Sequence, residues 1–187
     1  MTAPATTVVP AELSGDYVID PTHSSIGFTA RHAMVTKVRG TFEQFEGKAH
    51  LDAETPAAST AEVTLEVASI NTRQAQRDEH LRNNDFFDAP TYPQITFRST
   101  GVEVVSPEAF RLTGDLTVKG TTRPVTVDFE HTGIATDPYG YVRAGFEGKA
   151  VINRKDWGIA WNAALETGGV LVSEKITLEF DISAVKQ

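Results

Sequence analysis

The sequence predicts an all-β fold, an antiparallel barrel of about eight strands, and three observations carry that prediction. Apolar and polar residues alternate in run after run, the pattern of half-buried strands. Short turn signals separate the runs, among them Asp20-Pro21, Lys119-Gly120 and Asp137-Pro138-Tyr139-Gly140, as in hairpin-connected sheets. Gly40, Gly47, Gly114, Gly145 and Gly148 fall inside the runs, where glycine marks a bulge, a tight bend or the close approach of another group. Barrel closure requires strands that coil sharply, so a barrel is preferred to a sandwich. A closed barrel of this strand number can hold one small ligand.

The elements follow in order. Residues 1–13, rich in Ala, Thr and Pro, read as a flexible N-terminal tail, and residues 14–187 as one domain. Tyr17 and Ile19 open a short strand that ends at Asp20-Pro21. Over residues 25–33, Ile26, Phe28, Ala30 and His32 share one face. Val38, Gly40 and Phe42 continue the alternation; Phe45, Gly47, Ala49 and Leu51 resume it in the other parity, so a β-bulge is expected at Glu43-Gln44. Residues 61–69 alternate most cleanly, with Ala61, Val63, Leu65 and Val67 inward and acidic residues outward, a sheet with one wet side. Asn71-Thr72 is expected to cap a helix over residues 74–82, ended by Asn83-Asn84-Asp85. After Tyr92-Pro93 the chain is all β: residues 94–100, then Phe110 to Val118 in alternation, Val125 to Phe129, Val142 to Ile152, and Ile176 to Ile182.

Composition bounds the function. At 187 residues with 40% hydrophobic and 22% charged, the chain is a soluble globular type with a sizeable core. A net charge of −8 and a pI near 5.1 argue against nucleic acid and against non-specific docking on an anionic membrane. Without cysteine there is no disulfide, thiolate metal site or cysteine nucleophile. No apolar run approaches a membrane span and no secretory leader is evident, so stable membrane insertion is not expected and the expected location is the cytoplasm. The five histidines lack short ligand spacing, and no nucleotide-binding, nucleophile-elbow or zinc-protease motif occurs, so no metal, no cofactor and no catalytic residue is assigned.

One polar stretch interrupts the β pattern. Residues 71–97 bring Arg77, Asp78, His80 and Arg82 close together and then run into Phe86-Phe87, a grouping expected at the rim of a cavity. On a helix Arg77 and His80 share a face. They read either as a clamp on a polar head group or as ties between helix and barrel; Asp78 reads as a tie, with Arg154 a candidate partner.

Five segments together resemble the YceI-like family: DPTHSSIGFTARH (20–32), VRGTFEQFEG (38–47), SINTRQAQRDEHLRNNDFFDAPTYPQITFRS (69–99), LTGDLTVKGTTRPVTV (112–127) and INRKDWGI (152–159). The resemblance spans about residues 15–184, with Tyr17 standing where the family more often has Trp. It implies an extended eight-stranded antiparallel lipocalin-like barrel with one or two short helices and a long apolar tunnel. It also implies a bound polyisoprenoid, isoprenoid quinone or fatty acyl derivative for carriage or storage, and a homodimer. On that implication the ligand-binding candidates are Ile26, Phe28, His32, Phe42, Phe45, Leu65, Arg77, His80, Phe87, Phe97, Leu116, Val118, Arg154 and Trp157. His23, Ser24, Asp78, Phe86 and Tyr92 match the family pattern as site or scaffold residues.

The residues alone leave other readings open. The apolar faces suit a filled core as well as a hollow one, because strand periodicity reports the face and not the space behind it. His32 reads either as a satisfied core histidine or as a contact for a head group. Trp157 and Trp161 meet only if their segment is helical. A hydrolase or isomerase using His32, Arg77, Asp78 and His80, or a Ser24–His32–Asp78 triad, is the enzyme alternative. A non-binding interaction module is the third.

Overall fold

The computed structural model describes residues 9–165 and 171–187. Eleven strand segments make one antiparallel sheet: β1 (Gly15–Ile19), β2 (Ser25–His32), β3 (Thr36–Phe42), β4 (Phe45–Leu51), β5 (Thr60–Glu66), β6 (Ile70–Asn71), β7 (Gln94–Val104), β8 (Ala109–Val118), β9 (Thr121–Thr136), β10 (Val142–Asn153) and β11 (Lys175–Lys186). Among the described residues a single α-helix, α1 (Ala75–Arg82), lies between β6 and β7.

The sheet closes into an eight-strand barrel in the order β1-β4-β5-β7-β8-β9-β10-β11, with β11 pairing back onto β1. The remaining segments extend the wall on the helix side. β11 pairs β1 through Ala184–Lys186 and β2 through Thr177–Asp181, so β1 and β2 are two halves of one strand cornered at Asp20-Pro21. β3 and β4 are likewise two halves. The expected bulge at Glu43-Gln44 is instead a break between them, where both backbone N–H groups turn to Ser69, one to its carbonyl and one to its hydroxyl. The parity change is real, but it arises at a corner rather than inside a ladder.

Turn chemistry agrees with the sequence at Lys119-Gly120. Both residues have positive φ, +49° and +74°, and Val118 pairs with Thr121, the two-residue hairpin turn that suits strand twist. Two expectations change. The helix is capped by Gln74, whose side chain accepts from the Arg77 N–H, and not by Asn71-Thr72. Thr72 is buried and occupied by Asp78, and Arg73 at φ +64° breaks the chain before the helix can begin. The flexible stretch expected to Leu13 ends sooner among the described residues: Ala11–Leu13 form a 3₁₀ turn, and the buried Leu13 carbonyl accepts from the Tyr17 hydroxyl at 3.0 Å.

Two apolar clusters fill the wall. The larger lies toward α1 and includes Ile26, Phe42, Leu65, Phe86, Leu116 and Trp157. The smaller, Leu13, Tyr17, Ala144 and Ala184, lies at the tail end.

Candidate functional site

Between the two clusters the barrel is hollow. A cavity of about 860 Å³ runs from Leu13, Tyr17 and Ala184 at the tail end to Arg77, Trp157 and Trp161 at the helix end. That volume is at the upper end of the range for small-molecule sites, and a wall this apolar suits a ligand built of hydrocarbon.

Glycines inside the strands explain why so aromatic a wall leaves space. The Phe28, Phe97 and Phe129 rings lie over Gly40, Gly114 and Gly148 of the neighbouring strands, where any Cβ would collide with them. At Gly148 that Cβ would stand 2.5 Å from the Phe129 ring. The rings are therefore laid along the wall instead of across the lumen, a use of strand glycine by close approach. Phe42 bridges Phe28 and Phe87 at 6.0 Å each, and Phe110, Phe129 and Phe180 continue the aromatic lining at 5.5 and 5.8 Å.

The candidates fall into three groups. Ile26, Phe28, Phe42, Leu65, Phe97, Leu116 and Val118 line the cavity from strands. Arg77 and His80 line it from α1, Phe87 from the turn after it, and His32, Arg154 and Trp157 from the helix-side rim. Phe45 is buried in the core opposite Leu65 but is not part of the lining.

Lining the cavity is not the same as being free to bind. Arg154 is 5% exposed, and its guanidinium donates to four backbone carbonyls: Ser173 (2.9 Å), Ile159 (2.7 Å), Trp161 (2.9 Å) and Val172 (3.3 Å). Burial pulls its pKa below the usual arginine range, with the Glu174 charge acting against that. It pins the segment after β10 to the start of β11, and it does not pair with Asp78. Asp78, also buried, accepts from the Thr72 N–H at 2.9 Å and from the Thr72 hydroxyl. Arg77 donates through Nε to the same hydroxyl oxygen and through Nη2 to the Thr72 carbonyl, each at 2.7 Å. The Arg77–Thr72–Asp78 group thus ties α1 to the wall and leaves Nη1 of Arg77 without a partner among these bonds.

His80 Nε2 lies 2.9 Å from Asp85 Oδ2, and its ring packs edge-on against Phe86 and Trp161 at 5.0 and 4.7 Å. Trp157 and Trp161 do not stack on each other: Trp157 ends a 3₁₀ turn and donates Nε1–H to the Leu116 carbonyl at 2.9 Å, while Trp161 joins His80 and Phe86. His23 sits at the opposite corner, 2.8 Å from Asp20. The residues of the imagined triad are not bonded to one another: Ser24 pairs with the Ser183 backbone and Asp78 with Thr72. Among the described residues no cluster of ligating side chains is arranged for a metal ion.

Among the lining residues that the sequence reading did not assign to the site, one is a histidine with a buried ring nitrogen. His131 continues the inward parity of Val125, Val127 and Phe129, stands opposite Phe146 in register and packs on its ring at 5.4 Å. Its Nε2 is buried without a protein hydrogen-bond partner, the only such side-chain atom among the described residues. Extending the alternation by two residues would have found it.

A family model described as the YceI-like domain matches residues 17–184. Protein YceI of Escherichia coli O157:H7 is 37% identical over 177 residues, covering 94% of this chain and 89% of that protein. The crystal structure of the Campylobacter jejuni YCEI protein aligns with a TM-score of 0.72 at 30% identity, covering 84% of this chain and 90% of that one. A polyisoprenoid binding domain from Saccharophagus degradans shares the fold, with a TM-score of 0.68 at 13% identity over 91% of this chain and 98% of that one.

Proposed function

The chain belongs to the YceI-like family, and on that premise we propose that its barrel encloses one long apolar chain, a polyisoprenoid, isoprenoid quinone or fatty acyl derivative, for carriage or storage. The observation that carries this reading is the hollow, aromatic-lined lumen of about 860 Å³. Each methylene moved from water into such a lumen contributes roughly 0.8 kcal/mol, so a chain of many carbons is held without any charged contact. The polyisoprenoid named in the description of the Saccharophagus degradans domain agrees with that chemistry.

The ligand's polar function meets the free side of Arg77 at the helix-side mouth. The proposal assigns no catalytic act. It includes a cytoplasmic setting and a homodimer, which cell fractionation and size measurement in solution test.

Native mass spectrometry of gently purified protein, followed by organic extraction, tests the central claim. A stoichiometric long-chain species is expected, and its mass separates isoprenoid from acyl ligands. An empty protein that also takes up neither added polyprenol nor fatty acid overturns the reading.

A further inference from the structure

The geometry points to the β2–β3 hairpin as a docking tip for an anionic lipid bilayer. Three residues, Ala33, Met34 and Val35, close this hairpin beyond the His32–Thr36 pair. Met34 is 65% exposed and Val35 73%. Ala33 and Met34 both hold positive φ, 51° and 62°, which favours Gly or Asn. The tip therefore presents apolar side chains in a turn where polar turn residues would be easier to accommodate. It is held in place by the Ala33 N–H donating to the Leu171 carbonyl at 2.7 Å and the Val35 N–H donating to the His32 carbonyl at 3.1 Å.

Cations surround this tip on a chain whose net charge is −8. Arg31 and Lys37 face each other in register, and Arg39 lies two residues further along the same face of β3. Lys175 opens β11 two residues from Ser173, which exchanges backbone and hydroxyl bonds with Arg31. All four are exposed, and none forms an ion pair among the described residues. Among the described residues the acids on β11 and before it do not face the tip cations: Glu174 holds Lys155 at 2.7 Å, and Glu179 stands opposite Gly27, further from the tip, where it accepts from the Thr29 hydroxyl. Because exposed charges are screened beyond about 8 Å at physiological salt, acids elsewhere on the barrel do not cancel this patch.

The opposite end provides the contrast that selects the partner. Tyr139, Tyr141 and Val105 are also exposed there, at 86%, 55% and 50%. Charge there is paired: Glu103 lies 3.9 Å from Arg111, Asp16 2.7 Å from His50, and Arg143 holds Asp20 and Asp137. Both ends offer apolar side chains, but the β2–β3 tip combines them with cations that form no ion pair among the described residues, the pairing that recognises an anionic lipid surface. Ala30, Arg31 and His32 also line the cavity, so docking by this tip sets the helix-side mouth against the bilayer.

Flotation of the full chain with vesicles tests this directly. Phosphatidylcholine vesicles containing roughly a third phosphatidylglycerol, in roughly 0.1 M salt, are compared with pure phosphatidylcholine. Binding is expected only with phosphatidylglycerol and is lost at high salt. Met34→Asp with Val35→Asp abolishes it. Lys37→Glu with Arg39→Glu lowers it more than about fivefold for each cation removed. Tyr139→Asp leaves it unchanged. Ligand content by native mass spectrometry stays the same in every variant, so failure of docking is separable from failure of lipid carriage. If one pair of substitutions unfolds the protein, as judged by circular dichroism, the other carries the test. Equal binding to both vesicles, no binding, or binding insensitive to both pairs overturns the proposal, as does capture of an acidic protein partner with no affinity for the vesicles.

Discussion

The two ends of the barrel are held in opposite ways. At the helix end the buried polar side chains Thr72, Asp78 and Arg154 are matched to one another or to backbone carbonyls. At the tail end the interior is Leu13, Tyr17, Ala144 and Ala184, and the charges lie half-buried at the rim, with Arg143 reaching Asp20 at 2.7 Å and Asp137 at 2.8 Å. Buried polar groups are expensive to strand and water-exposed ones are not. The helix end should therefore be brittle toward polar substitution and the tail end tolerant of it, although tail-end charges are the more conspicuous ion pairs.

The largest expected effect is at Arg154. Methionine there fills much of the space but donates nothing, leaving carbonyls of Ser173, Ile159, Trp161 and Val172 without their donor. Arg154→Met should cost about 3–4 kcal/mol, a fall of roughly 6–16 °C in the thermal midpoint for a chain of this size. A midpoint within roughly 2 °C of the parent would break the comparison, showing that the carbonyl cage does not hold the helix end.

Asp78 comes next. Asp78→Ala strands the Thr72 N–H and removes the group that orients Thr72 toward Arg77, at about 2–3 kcal/mol. Asp78→Asn keeps the accepting oxygen and should cost about 1 kcal/mol. Chemical denaturation of the two variants sharpens the comparison: equal losses would mean that charge, not hydrogen-bond acceptance, ties α1 to the wall.

Much of this architecture was legible in the sequence, and the losses have physical reasons. Period-two alternation placed Ile26, Phe28, Leu65, Phe97 and Leu116 on inward faces because a strand sends alternate side chains to opposite sides. Alternation does not report which way a ring lies once inside, so the hollow made by Phe129 over Gly148 was hidden. The residues themselves leave it undecided whether Arg77 and His80 are clamps or ties, and offer Arg154 as a partner for Asp78 that it does not meet. Chain spacing cannot show that the carbonyls of Ile159 and Val172 converge on one guanidinium. His131 keeps the inward parity of Phe129, but Glu130 and His131 end the apolar run, so alternation of hydrophobic residues alone does not mark it.

A smaller effect belongs to the tail end. Tyr17 is 1% exposed, and its hydroxyl donates to the Leu13 carbonyl; burial raises the phenol's pKa, so it remains a donor across the working range. Tyr17→Phe removes one neutral hydrogen bond while keeping the packing, at about 1 kcal/mol. The intrinsic fluorescence of Trp157 and Trp161, both at the helix end, should not change in the folded variant. A shifted emission would mean that the two ends are coupled through the wall.

The smallest effect should be that of the exterior brace, and pH isolates it. The Thr22 hydroxyl, the Arg143 guanidinium and His23 hold the Asp20 carboxyl well below its usual range, and Arg143 lowers Asp137 as well. A carboxylate depressed in the folded state contributes its stability above the unfolded pKa, near 3.9, and loses it as pH falls toward the folded value. Arg143→Gln removes the shared partner of both acids. Its thermal midpoint should lie below the parent's at neutral pH by a few degrees at most, since half-buried pairs that water still reaches contribute modestly. The gap should stay constant down to roughly pH 4 and narrow as pH falls toward roughly 2, because protonation then dismantles the brace in the parent too. A gap that widens on acidification would mean that Arg143 stabilises the tail end by something other than its two carboxylates, and that the exterior charges there are no mere surface feature.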